Sequence, residues 1–119
     1  MKPIAFAGGH VTGRSLVYRN KTVALTPREV ELAEVLARSG VGIVTYDTLY
    51  SEILGRRFHG DTSNMRVLLG KLRISSRAVG IAFDRWIEVI PKLGYRYAVP
   101  ASRERASARP VLRKRPAEL

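Results

Sequence analysis

Residues 63–73 read SNMRVLLGKLR, and they hold most of the side chains in this chain that could meet a ligand. Arg66, Lys71 and Arg73 are cations, Ser63 and Asn64 can donate and accept hydrogen bonds, and no acid interrupts them. At about 100° per residue, Met65, Leu69, Leu72 and Ser76 fall on one face of a helix. Asn64, Val67, Leu68 and Lys71 fall on a second face; Arg66, Gly70, Arg73 and Arg77 fall on a third. The first face can pack on a body, the second can present a surface, and the third carries positive charge. Cations suit phosphates, while donors and small apolar groups suit base edges. The alternative is a solvated helix with ordinary surface lysines and arginines.

Charge favours the first view. The 119 residues carry 21 Lys and Arg against 10 Asp and Glu, a net +11. An excess of that size points to a polyanionic partner: nucleic acid, an anionic membrane surface or an acidic protein. Residues 56–77 hold six basic residues against Asp61 alone, so +5 sits in the window around the candidate helix. A further +4 lies in residues 100–119.

Other chemistries find little material. There is no cysteine, which excludes a disulfide framework and thiolate metal sites and fits a reducing cytosol. His10 and His59 stand far apart and do not make a metal site. Asp47, Glu52, Asp61, Asp84 and Glu88 form no recognisable catalytic pair, and no phosphate-cradling GxxxxGK[ST] loop occurs. The expectation is no enzyme and no cofactor. The N-terminus lacks a secretory apolar run, and no stretch approaches the roughly 20 residues that cross a bilayer. A soluble, cytoplasmic protein associated with the nucleoid is expected, with no membrane partner.

The elements that position residues 63–73 follow from local signals. Ser15–Tyr18 and Thr22–Leu25 should form a hairpin across a three-residue break, with a further strand at Ile4–Phe6. TPRE at residues 26–29 starts a helix, with Thr26 as N-cap, Pro27 first and Glu29 completing a capping box. Val30, Leu32, Ala33, Leu36 and Ala37 give its apolar stripe, and Gly40 and Gly42 end it. Ile43–Tyr46 is a short extended piece. Thr45 caps a second helix over Tyr46–Leu54, and Gly55 stops it. After the loop GRRFHGDTS, Thr62 or Ser63 caps a third helix of about fifteen residues. Residues 85–90 and YRYAV then form a hairpin around the turn PKLG, with Ile87, Val89, Tyr95 and Tyr97 pinning it to the body. Pro100 closes a domain of residues 1–100. Residues 101–119 read as a basic, disordered tail that acts as a non-specific electrostatic arm.

The pieces LTPREVELAEVLARSG, IVTYDTLYSEILG, NMRVLLGKLR and IEVIPKLGYRYAV together resemble the OmpR/PhoB-type winged-helix DNA-binding domain of response regulators, over residues 24–99. The resemblance implies an α+β winged helix-turn-helix: a small N-terminal antiparallel sheet, three helices and a C-terminal hairpin wing. It implies a recognition helix, about 63–77, in the major groove of double-stranded DNA and a wing, 86–98, near the minor groove. The positions that match contact positions are Ser63, Asn64, Val67, Leu68, Gly70, Lys71 and Arg73, with Pro91 and Lys92 at the wing tip. Arg56, Arg57, Phe58 and His59 match the loop that can touch RNA polymerase. The chain departs from the family with Arg66 where an acid is usual, Gly70 where a cation is frequent and Pro91 where a wing arginine is frequent. No segment resembles a receiver domain or its phosphoacceptor pocket, so a stand-alone effector is expected.

Individual residues keep two readings. Arg73 can touch DNA or pair with an acid of the first helix. Arg56 and Arg57 can be solvated, meet phosphates or meet polymerase. Tyr95 can lie in the core or reach a phosphate, and Arg77 can meet DNA from the far end of the helix. Trp86 suits a core or wing-base anchor. The resulting expectation is a sequence-specific transcription regulator of bacterial or phage type, with self-association on tandem half-sites. The alternatives are a regulator acting mainly on RNA polymerase and a non-specific nucleic-acid-binding protein.

Overall fold

The computed structural model describes residues 3–40 and 42–98. The expected closing Pro100 and the tail 101–119 lie outside the described residues. The fold is α+β, as expected. An N-terminal antiparallel sheet runs in the order β1 (Ile4–Phe6), β2 (Gly9–Thr12), β3 (Ser15–Tyr18) and β4 (Lys21–Ala24). The strand β2 was not anticipated, because its GHVT reads as turn material. It forms because Ala7 and Gly8 both take positive φ, a two-residue turn that pairs Phe6 with Gly9. The break between β3 and β4 is two residues, Arg19 and Asn20, so Lys21 joins the strand opposite Tyr18.

Helix α1 (Pro27–Arg38) starts on the anticipated capping box. Thr26 Oγ1 accepts from the Glu29 N–H at 3.2 Å, and the Glu29 carboxylate accepts from the Thr26 N–H at 3.3 Å. Strand β5 (Ile43–Thr45) follows, and Thr45 caps α2 (Tyr46–Leu49). Tyr50–Leu54 continue α2 with π winding, and Tyr46, Leu49, Tyr50 and Ile53 are buried along it.

Helix α3 (Ser63–Ala78) buries Met65, Leu68, Leu69, Leu72 and Ser76. Its cap differs from expectation. Thr62 makes no side-chain cap bond, and the Asp61 carboxylate accepts the Ser63 N–H at 2.9 Å instead. A bond from the Ser63 side chain, joined by this backbone bond, holds the Asp61 carboxyl below its ordinary value.

A short helix α4 (Phe83–Trp86) was also unanticipated, and it takes Arg85 and Trp86 out of the expected strand. The wing is β6 (Ile87–Ile90) with β7 (Gly94–Tyr97), and β7 pairs on its other edge with β5. Ile87, Tyr95 and Tyr97 pin the wing as expected, but Val89 is 46 % exposed and does not. Trp86 anchors the wing base, its ring 5.9 Å from that of Tyr97, which stacks in turn on Phe6. The buried Tyr97 hydroxyl accepts the Ala7 N–H at 2.8 Å, so the N-terminal sheet grips the wing across 90 residues of sequence.

Candidate nucleic-acid interface

The core holds α3 on one side only. Met65 and Leu72 are fully buried in the core cluster that also holds Leu32, Leu36 and Leu49, so the helix cannot roll without opening the core. A second tie comes from α1. The free oxygen of the Glu29 carboxylate accepts the Ser75 hydroxyl at 2.8 Å, so the residue that caps α1 also fixes the rotation of α3.

The opposite side of α3 is open. Ser63, Asn64, Arg66, Val67, Lys71, Ile74, Arg77 and Ala78 are exposed, and Gly70 and Arg73 are half-exposed. The helix contains no acid. Val67 is 59 % exposed and Ile74 is 71 % exposed, one above the other at the centre of this face. Arg66 and Arg77 flank them on one side and Lys71 on the other. Ile74 was missed in the sequence, although its position seven residues after Val67 was the available signal.

Two residues named as contacts are not presented. Leu68 is 8 % exposed, because it lies one turn from Met65 and Leu72 and packs with them. Tyr95, the second residue of β7, is wholly buried, its ring edge-on to Tyr46 at 5.5 Å. Burial among aromatic rings pushes its hydroxyl far above the ordinary tyrosine value. Neither is available to DNA in this fold.

Arg73 and Arg77 are both engaged, and not with α1. The Asp84 carboxylate accepts from Arg73 at 3.1 Å and from Arg77 at 2.8 Å. Arg73 also lies over the Phe83 ring, 5.8 Å from its centre. On the other flank, Arg28 shares a cleft with Asn64, Val67 and Lys71. Arg28 escaped notice because it sits far from α3 in sequence. It donates to the Ile53 carbonyl and to Glu31.

In the loop after α2, Arg56 and Arg57 are exposed, with Arg56 over the Tyr50 ring at 5.7 Å. Phe58 turns inward, its ring 5.3 Å from that of Tyr46 and 5.0 Å from that of Tyr50. At the wing tip Pro91, Lys92 and Leu93 are exposed, and Lys92 takes a positive φ of 68°.

Gly70 has open space where a Cβ would stand. Gly70→Ala should therefore raise stability by about 1 kcal/mol through helix propensity alone. A urea titration reads this directly, and a lowered midpoint would show that the site is more crowded than it looks.

Among the described residues no cluster of His, Cys, Asp or Glu could hold a metal, and no helix is long and apolar enough to cross a membrane. Solved structures share the fold. The DNA-binding domain of Escherichia coli CadC aligns with a TM-score of 0.71 at 20% identity, over 83% of this chain and 94% of that one. The Klebsiella pneumoniae RstA DNA-binding domain, in complex with the RstA box, gives 0.68 at 22%, over 82% and 98%. The DNA-binding domain of CpxR from E. coli gives 0.67 at 20%, over 83% and 100%. No curated protein matches significantly. The family described as "Transcriptional regulatory protein, C terminal" matches residues 20–97. With its winged helix and its cationic, core-seated third helix, the chain belongs to this family of OmpR/PhoB-type DNA-binding domains of transcription regulators.

Proposed function

We propose that the chain regulates transcription by binding double-stranded DNA sequence-specifically, with α3 in the major groove and the wing near the adjacent minor groove. One observation carries this: α3 is rotationally fixed by the core and turns outward an acid-free face flanked by cations. A helix of this kind fits the major groove of about 12 Å. Ser63, Asn64, Val67, Gly70 and Lys71 face bases and sugars. Arg56, Arg57, Arg66 and Arg77 meet phosphates, and Arg73 joins them where Asp84 releases it. Arg28, which shares a cleft with Asn64, Val67 and Lys71, meets a phosphate beside them. Lys92, at the wing tip, meets the minor groove, whose negative potential is strongest where A·T tracts narrow it. The RstA domain, similar in fold, is seen on its own box. The chain works on bacterial or phage DNA in the cytoplasm, pairing on tandem half-sites.

Selection of bound duplexes from a random pool tests this. An enriched motif with two direct half-sites is expected. Uniform recovery of all sequences would leave only the non-specific reading. A second reading, contact with RNA polymerase, is favoured by the loop: with Phe58 anchored inward, Arg56, Arg57 and His59 form a held, exposed surface. Arg57→Ala that lowers transcription while leaving DNA affinity unchanged would mark that contact.

Asp84 should act as a brake on affinity. Its carboxylate neutralises two cations beside the phosphates, and exposed pairs of this kind contribute within about 1 kcal/mol to folding. Asp84→Asn should leave the melting curve nearly unchanged and tighten duplex binding by about three- to tenfold at low salt. Weaker binding would show instead that Asp84 orients Arg73 and Arg77 for their contacts.

A further inference from the structure

The centre of the α3 face holds no hydrogen-bond donor. Val67 and Ile74 occupy it, 59 % and 71 % exposed, with Gly70 between them contributing no side chain. Helix propensity does not explain these residues, since β-branched side chains are poor choices on an exposed helix surface. A covering partner does. A second copy of this chain is a poor fit, because a two-fold contact would bring Arg66, Lys71 and Arg77 of a +11 chain against their own kind. A polyanion with apolar groups along its floor fits both the stripe and its flanks. In the major groove the apolar group is the 5-methyl of thymine.

We infer that Val67 and Ile74 read thymine through its 5-methyl group, so that this helix selects sites by methyl contact. The inference rests on the DNA-binding reading above. The two side chains stand two turns apart, about 10.5 Å along the axis at 1.5 Å per residue. Because a helix in the major groove follows the tilt of the groove, that length spans at most about three base-pair steps of 3.4 Å. The recognised site therefore carries two thymines within about three base pairs of each other, on either strand.

The test replaces each thymine of a selected duplex, one at a time, by deoxyuridine, which removes only the methyl group. Wild type should bind about fivefold more weakly at two positions within about three base pairs of each other and be indifferent elsewhere. Val67→Ala should lose the discrimination at one position and Ile74→Ala at the other, with salt dependence unchanged. Both side chains are on the surface, so the variants should keep the wild-type melting curve. Equal affinity for the thymine duplex and its fully uracil-substituted form overturns the inference while leaving DNA binding intact. Failure to bind any duplex, or equal binding to all sequences, overturns both. A dimer in solution that Ile74→Ala dissolves overturns it in favour of a second copy.

Discussion

Affinity for a duplex should fall about a thousandfold between 50 and 200 mM salt. The log–log slope is about −0.9 per neutralised phosphate, and about six contacts give a slope near −5. The fold supplies enough exposed cations for this. Arg56, Arg57 and Arg66 are exposed and carry no ion pair among the described residues. Arg28, Arg73 and Arg77 bind carboxylates that a phosphate can displace, because exposed pairs are weak. Anisotropy titrations over a salt series measure the slope. A slope near zero would exclude binding through phosphates, and with it the placement of α3 against DNA. A slope near −3.6, about four contacts, would mean that Asp84 keeps both of its arginines in the complex, and the slope of Asp84→Asn would then be steeper than wild type.

The parts of this design that could be read in advance are local ones. The capping box of α1 needs only residues 26–29, and the structure forms it. The core face of α3 needs only its own periodicity, and Met65, Leu69, Leu72 and Ser76 are buried as that periodicity requires. What escaped depends on residues distant in sequence. Glu29 reaches Ser75, 46 residues away, and that bond sets the rotation of α3. Arg73 was weighed against an acid of α1, whereas the acid that reaches it is Asp84, delivered by the unforeseen helix α4. Leu68 lies near the border of the apolar face, and its one-turn neighbours draw it into the core. Tyr95 alternates with Arg96 as a half-buried strand would, but β5 covers its edge and closes the core over it. Val89 shows the reverse case: it shares a sheet face with Tyr95, yet it lies on the edge strand, beyond the packed body.

Gly94 closes the wing turn PKLG, and its role goes beyond the freedom of that turn. Lys92, not Gly94, takes the left-handed φ of the turn, at 68°. Gly94 opens β7 opposite Thr45 of β5, and the two backbones approach so closely that no side chain fits between them. A Cβ at Gly94 would overlap the Val44 carbonyl oxygen and come within 2.9 Å of Thr45 Cα. Those atoms are backbone and cannot swing aside. The φ of +154° adds strain for any residue with a Cβ. Relief requires β5 to part from β7. That would free the start of α2, whose Tyr46 N–H donates to the Leu93 carbonyl at 2.9 Å, and uncover Tyr95. Gly94→Ala should therefore cost more than about 4 kcal/mol, the range kept for changes that break packing outright. Gly55→Ala is the control, since Gly55 has a φ of +67° but nothing within 4 Å of an added Cβ. It should cost only about 1–2 kcal/mol, the left-handed penalty alone. Urea unfolding of both variants separates crowding from backbone conformation. If Gly94→Ala unfolds within about 1 kcal/mol of Gly55→Ala, β5 does not seat against β7, and the wing is not the rigid element that the DNA-binding geometry requires.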